Sequence, residues 1–222
     1  MDVVIGDGGF FGTWNHYEES AERYRAVFEL FASAAPIFIA KRREHPPAWI
    51  VALETTWPSL AQGWGLQLDV ARAKMTGVVR GLPTMVEVRQ HAQGRATGVE
   101  VTVPLPAGCE LRLKKQDGDG FFDRLFRGQD VKVGDPTFDD AFVIKGEPEE
   151  FVRAALSPIV RQQLLYLLNA GVALTLEKGK LIALARGVLT DREQLDQLMK
   201  AAYTAATSLY PQPSGGPQAP YR

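Results

Sequence analysis

The spacing of apolar residues predicts helix at the start of the chain. From residue 18 to about residue 35, apolar side chains recur every three or four positions between Glu and Arg residues, which indicates an amphipathic helix that ends at Pro36. The next apolar runs, "PIFIA" and "AWIVALET", are short and separated by a loop with paired prolines, so we expect two strands. "WPSLAQGWG" then predicts a short helix with Pro58 in its first turn.

The pattern changes to period two in the middle of the chain. Five segments between residues 66 and 113 alternate apolar and polar side chains, and Gly- or Pro-bearing turns separate them. Such alternation predicts antiparallel strands with one face towards water. Because a run of strands precedes helices, the pattern favours an α+β fold, an antiparallel β-sheet meander with helices packed on it, over repeating βαβ units.

The last third combines helices with a hairpin. "PEEFVRAALSPIVRQQLLYLLNAG" predicts a helix that restarts or kinks at Pro158 and is capped by Gly171. Two alternating runs around Lys178 and Gly179 predict a hairpin. A final helix follows, from Thr190 or Asp191 as the N-cap to about residue 209.

These elements suggest three segments. Residues 1–56 form an N-terminal helical and strand element that we expect to pack on the main domain. Residues 57–209 form the α+β domain. The tail, residues 210–222, is rich in Pro and Gly, so we expect it to be mobile.

Composition narrows the functional classes. The chain has 222 residues, of which 45% are hydrophobic, and a net charge of -1. This charge balance gives no field that would attract nucleic acid, and the apolar run around Pro36 is too short to span a bilayer. The single cysteine, Cys109, suits a reducing compartment. We therefore expect a soluble, cytoplasmic protein with no nucleic-acid partner.

Four glycines near the start offer a nucleotide-binding hypothesis. Gly6, Gly9 and Gly12 fit G-x-x-G-x-x-G, while Gly6 and Gly8 begin G-x-G, and the spacing resembles the turn of short-chain dehydrogenases. An NADP phosphate could then lie against Arg42 and Arg43. However, no Tyr precedes a Lys by four residues, and strand–helix alternation does not follow. We favour a flexible N-terminal loop and keep nucleotide binding as an alternative.

A cluster of aspartates offers a metal-dependent hydrolase as a further alternative. Asp135, Asp139 and Asp140 lie close together in "GDPTFDDAF", and carboxylates so placed can bind a metal. The simpler interpretation is a turn that Phe138 and Phe142 anchor in the core, and no histidine lies nearby. We favour anchoring.

Tryptophans mark a possible partner surface. All four lie in the first third of the chain: Trp14, Trp49, Trp57 and Trp64. Packing onto the sheet is the favoured interpretation, but any that are exposed would indicate a partner surface. Since the sequence contains no convergent catalytic set, we predict no catalytic residues, no cofactor, and a non-enzymatic binding or scaffold domain for a protein partner. Homo-oligomerisation through an apolar helix face is possible.

A family resemblance covers about residues 57–209. "WPSLAQGWGL", "MTGVVRGLPTMVEV", "GDPTFDDAFVIKG" and "LEKGKLIAL" resemble segments of uncharacterised bacterial proteins of the DUF3137 type. Residues 134–142 are the most specific part. The resemblance implies no activity. It does imply apolar, membrane-attaching segments upstream in some relatives, whereas this chain has an amphipathic helix there.

Overall fold

The chain divides into two compact units. The computed structural model describes five ranges of the chain, residues 2–6, 9–13, 21–91, 94–116 and 130–209. Within these ranges the division falls between Ala52 and Leu53. The domain boundary predicted after residue 56 stays a prediction, and the predicted tail lies outside the described residues.

The first unit contains a hairpin and a long helix. Strand β1 (Asp2–Gly6) pairs with β2 (Gly9–Thr13) in antiparallel register, and helix α1 (Ala21–Glu44) follows. The helix passes through Pro36, so the predicted helix end and the "PIFIA" strand are wrong. Proline removes one backbone hydrogen bond, but its φ suits a helix, and a short apolar run does not by itself distinguish strand from helix.

The second predicted strand is also wrong. "AWIVALET" begins α2 (Ala48–Trp64), which continues through Pro58 and takes in the short helix predicted at "WPSLAQGWG". The buried residues of α2 from Leu53 onwards recur at helical spacing: Leu53, Trp57, Leu60 and Ala61. The paired prolines therefore precede a helix, where a fixed φ near the first turn is favourable.

The second unit is built on an eight-stranded sheet in the order β3-β4-β5-β6-β10-β9-β7-β8, and all its strand pairs are antiparallel. Its strands are β3 (Gln67–Asp69), β4 (Lys74–Val79), β5 (Leu82–His91), β6 (Gly94–Thr102), β7 (Glu110–Lys115), β8 (Phe142–Glu147), β9 (Ala173–Glu177) and β10 (Lys180–Arg186). The predicted α+β class, with an antiparallel sheet and helices packed on it, is confirmed. The meander runs from β3 to β6, and the β9–β10 hairpin then separates β6 from β7.

The β9–β10 hairpin turns where the sequence predicts. Lys178 and Gly179 both have positive φ, 52° and 71°, as a two-residue hairpin turn requires. A side chain at Gly179 would meet the carbonyl oxygen of Val103. The backbone N–H of Val103 also donates to the carbonyl of Gly179, so the turn is joined to the chain leaving β6.

Helices pack on one face of this sheet. They are α3 (Pro136–Ala141), α4 (Glu149–Ala155), α5 (Pro158–Asn169) and α6 (Arg192–Leu209). Helices α3 and α4 contact β8, α5 contacts β9, and α6 contacts α5, β6 and β10. The break between α4 and α5 at Pro158 agrees with the sequence, and Asp191 accepts from the N–H of Gln194 as the α6 N-cap.

The two faces of the sheet differ in chemistry. The register places Val99 beside Ala183 and Val101 beside Leu181, and all four are fully buried. On the opposite face, Glu100 lies across from Ile182 and joins an ion-pair network. Apolar burial on the helix side therefore sets the register of the central strands.

Candidate functional site

A cleft opens between the end of α2, the β4–β5 turn and α6. Its volume is about 510 Å³, and its lining includes Trp64, Val78, Arg80, Arg192, Asp196 and Tyr203. These residues come from distant parts of the second unit. Trp64 is one of the tryptophans predicted to form a partner surface, and its side chain is partly exposed in this cleft.

The end of α2 places Trp64 at the cleft. Gly65 has a φ of +67°, and the N–H of Leu66 donates to the carbonyl of Ala61 over 2.8 Å. A left-handed glycine with this back-bond ends a helix sharply. Trp64 is therefore held in the last turn of α2.

Helix α6 fixes the orientation of the indole. Trp64 Nε1 donates to Asp196 Oδ1 over 2.8 Å. The Trp64 and Tyr203 rings lie edge to face, with centroids 6.1 Å apart and an interplanar angle of 70°. Asp196, Lys200 and Tyr203 share one face of α6 because their spacing is close to one and two helical turns. A polar and an aromatic contact together hold Trp64 in one pose.

Asp196 is an ionised anchor of the cleft. Burial alone would raise the pKa of its carboxyl, but hydrogen bonds from Lys200 and Trp64, with the positive charges of Lys200 and Arg192, outweigh burial and lower that pKa. Lys200 lies one turn further along α6 and pairs with the same carboxylate. The carboxylate is therefore charged and held by hydrogen bonds at neutral pH.

Tyr203 is a neutral hydrogen-bond donor. Its hydroxyl donates to the carbonyl of Val79 over 3.3 Å, which joins α6 to β4. Burial raises the pKa of the phenol, and the charge of Arg80 only partly opposes this effect. The hydrogen bond to Val79 therefore holds the phenol ring of Tyr203 in place against the indole of Trp64.

The mouth of the cleft combines apolar surface with positive charge. Val78 is 63% exposed. Arg80 lies in the β4–β5 turn with a φ of 45°, next to Gly81 at 87°. Among its described lining residues, three carry positive charge, Arg80, Arg192 and Lys200, and one carries negative charge, Asp196. The lining therefore carries a net positive charge.

The other tryptophans have different environments. Trp57 is fully buried, and its Nε1 donates to the carbonyl of Leu189 over 3.3 Å, so it belongs to the core and offers no surface. Trp49 is half-buried in the first unit. Trp14 lies outside the described residues. Of the predicted partner surface, the structure brings only Trp64 to this cleft.

The N-terminal glycines lie in a hairpin. Gly6 pairs with Gly9 across β1 and β2, and Gly12 pairs with Val3, while Gly8 lies outside the described residues. A dinucleotide loop joins a strand to a helix, whereas these glycines join or lie within two strands. Arg42 and Arg43 lie on α1. Nucleotide binding by this set stays an untested prediction.

Two residues of the predicted aspartate cluster, Asp135 and Asp139, stabilise the fold through hydrogen bonds. Asp139 is buried, and its two carboxylate oxygens accept from the N–H groups of Val133 (2.9 Å) and Gly134 (3.1 Å). Asp135 caps α3 by accepting from the N–H of Phe138, and its other oxygen lies 3.3 Å from Nε of Arg161. Both carboxylates therefore already have protein partners.

Packing completes the structural role of this segment. Phe138 and Phe142 are buried, with ring centroids 4.8 Å apart, as anchoring requires. Asp140 is exposed. Among the described residues, no group of three or more His, Cys, Asp or Glu side chains could hold a metal ion. A metal at Asp135, Asp139 and Asp140 stays an untested prediction.

Sequence reasoning did not find Asp196, Tyr203 or Arg80. The signal for α6 was present, because Asp196 and Lys200 have the spacing of a helical ion pair, but such pairs usually stabilise a solvated face. Nothing in the sequence links Asp196 to Trp64, 132 positions away.

In the described part of the chain, no helix is both long and apolar enough to cross a membrane.

Comparison with known proteins adds one structural likeness. No protein-family model matches the sequence, and no curated protein matches it either. Among solved structures, the chain is similar to the mycobacterial trehalose monomycolate transport factor A, TtfA, with a TM-score of 0.41 and 13% sequence identity over 72% of this chain and 86% of that chain. The predicted DUF3137-type resemblance stays untested.

Proposed function

We propose that this chain is a non-enzymatic binding domain that docks a protein partner in the Trp64 cleft. The observation that carries the proposal is the fixed, partly exposed indole of Trp64, held by Asp196 and Tyr203 beside the exposed side chain of Val78. A pre-oriented aromatic ring is a good anchor for a partner, because little side-chain entropy is lost on binding.

Charge specifies the chemistry of the partner. The cations of Arg80, Arg192 and Lys200 line the cleft, and Asp196 is the one carboxylate among its described lining residues. That carboxylate is already bound by Trp64 and Lys200. A partner segment that brings carboxylates would complement this lining, and an apolar side chain could pack against Trp64 and Val78. The proposed ligand is therefore an acidic peptide segment with an apolar anchor.

The pKa values of Asp196 and Tyr203 support a binding role for the cleft over proton-transfer chemistry. The pKa of Asp196 is lowered and that of Tyr203 is raised, so each moves away from neutrality. A general acid or base works best with a pKa near the working pH. These two groups therefore suit positioning, which is the role that a binding domain needs.

Site-directed photo-crosslinking tests the proposal. A photo-reactive amino acid is placed at Val78 in the full chain, and the matched control carries it at Tyr166, which is 67% exposed on α5. After irradiation in native cell extract, we expect a product specific to Val78, whose crosslinked peptide, read by mass spectrometry, is acidic with an apolar residue.

Charge reversal decides whether the cations contribute. Changing Arg80 and Arg192 to Glu should abolish the specific product, since electrostatic complementarity is then reversed. Equal labelling from Val78 and Tyr166, or a product that survives charge reversal, would contradict the proposal. A product with a second copy of this chain would replace the proposed partner with a homo-oligomer.

A further inference from the structure

A second cavity lies at one end of the sheet, apart from the Trp64 cleft. Its volume is about 530 Å³. Residues at the starts of β6 and β9 and the ends of β7 and β10 line it, together with residues near the end of α5. Because neighbouring strands are antiparallel, these four strand termini lie at the same end of the sheet.

Strand pairing leaves room for this cavity. The β7–β9 ladder has only two paired positions, Leu113 with Leu176 and Lys114 with Thr175, and it ends before Lys115. On the other side of β10, the N–H of Gly187 donates to the carbonyl of Arg95 over 2.9 Å, which continues the contact between β10 and β6. The β6–β10 pair is therefore fully hydrogen-bonded beside the cavity, whereas the β7–β9 pair is not.

The lining joins positive charge to aliphatic surface. Three cationic residues contribute to it, Arg95, Lys115 and Arg186, and among its described lining residues none is Asp or Glu. The β10–β6 register pairs Arg186 with Ala96, the neighbour of Arg95, so Arg95 lies on the helix side of the sheet with Val99, and Arg186 reaches the cavity from the opposite face. Leu168, Val172 and Leu184 are among the apolar lining residues.

We infer that this cavity binds a small organic anion with an aliphatic body, such as a carboxylate on a short alkyl chain. Small-molecule sites are typically concave and mostly apolar, of about 300–1,000 Å³, with a few polar groups that fix orientation. The cations would take the carboxylate, because charge-assisted hydrogen bonds are the stronger kind. The aliphatic residues would take the alkyl chain.

Calorimetric titration of the full chain tests the inference. The probe is sodium octanoate, compared with 1-octanol, which has the same chain without charge, and inorganic phosphate, which has charge without the chain. We expect saturable binding of octanoate and at least about tenfold weaker binding of either control compound, since each lacks one part of the recognition. Equal affinity for octanol, or no saturable heat with octanoate, would overturn the inference.

Variants place the binding in this cavity. Arg186→Gln should weaken octanoate about tenfold, through loss of one charge-assisted hydrogen bond. Ala173→Trp, at an exposed lining position, should abolish binding by filling space. The matched control Arg153→Gln removes the same charge from α4, where Arg153 pairs with Glu149, and should leave the affinity unchanged.

Octanoate binding in this cavity can be tested separately from partner docking in the Trp64 cleft. Trp64→Ala alters only the first cleft, so octanoate affinity should be unchanged in that variant. Thermal unfolding of each variant confirms that the fold persists. Equal weakening by Arg186→Gln and Arg153→Gln, or binding that survives Ala173→Trp in a folded protein, would contradict the assignment.

Discussion

Trp64 on α2 donates a hydrogen bond to Asp196 on α6 across 2.8 Å, joining residues 132 positions apart. The bond closes one side of the cleft that we propose as the docking site. Asp196 is charged at neutral pH, so we expect the stability that this contact provides to depend on pH.

A double-mutant cycle should detect this coupling. Trp64→Phe keeps an aromatic ring against Tyr203 but removes the donor, and Asp196→Ala removes the acceptor. We expect a coupling free energy of about 1 kcal/mol between the two changes, measured by urea unfolding at neutral pH. Strict additivity would contradict a contribution of this bond to stability.

The stabilisation that the charge of Asp196 provides should be lost in acid. The pKa of Asp196 is lowered in the folded chain, so its contribution is present above the ordinary aspartate pKa and disappears as pH falls through the folded value. The stability difference between the native chain and Asp196→Asn should therefore narrow on acidification. A difference that stays constant with pH would show that the charge is not responsible.

The network on the open face of the sheet gives a second pH-dependent prediction. Burial would raise the pKa of Glu100, but hydrogen bonds and charges of Lys180 and Arg89 outweigh burial and lower it. Arg89→Met should destabilise the fold by about 1–3 kcal/mol at neutral pH, because a buried carboxylate loses a partner. The loss should shrink in acid, as Glu100 becomes protonated.

Lys180→Met is the matched control for the Glu100 network. Its ammonium lies 2.8 Å from the same carboxylate, but the side chain is 52% exposed, so solvent screens the pair and the loss should be smaller. Denaturant titration of both variants at neutral and mildly acidic pH measures the effect. Equal losses for the two variants would contradict the role of burial.

Asp139→Asn separates a structural aspartate from a metal ligand. The buried carboxylate accepts from two backbone N–H groups, and an amide retains only one acceptor oxygen, so we expect a loss of about 1–3 kcal/mol in unfolding free energy. Manganese should not stabilise the native chain in the same titration. Stabilisation by manganese that disappears in Asp139→Asn would instead support the metal alternative.

Gly146→Ala should be strongly destabilising for a purely steric reason. A Cβ there would meet the carbonyl oxygen of Glu110 on the paired strand and lie 2.8 Å from Cγ2 of Val152. Backbone has to move, so we expect a loss of about 1–3 kcal/mol, measured by thermal unfolding.

Gly63→Ala provides the comparison for Gly146→Ala. A Cβ at Gly63 has no neighbour within 4 Å, and the residue lies inside α2. Alanine there should stabilise the helix by up to about 1 kcal/mol. A similar loss of stability in both variants would show that close packing is not the cause.

Local signals in the sequence predicted the local structure well. Alternation predicted the strands between residues 66 and 113, and turn chemistry at Lys178 and Gly179 predicted the hairpin. The strands predicted at Pro36 and at "AWIVALET" were wrong, because short apolar runs fit either element and the φ of proline is compatible with a helix.

The candidate site depends on long-range pairing, which a single sequence does not reveal. Clustered tryptophans pointed to Trp64, but they equally included Trp57, which is fully buried. What distinguishes the two is the position of α6, which brings Asp196 and Tyr203 to only one of them. The strand order likewise follows from which apolar faces meet in three dimensions.

The insertion of the β9–β10 hairpin between β6 and β7 has a consequence for synthesis on the ribosome. Strand β6 emerges early, yet its second neighbour, β10, ends only at Arg186. Until then, one edge of the nascent meander has no strand to pair with, and an open edge invites pairing with other chains. Chains released before β10 is complete should therefore aggregate, whereas in full-length chains β10 pairs with this edge of β6.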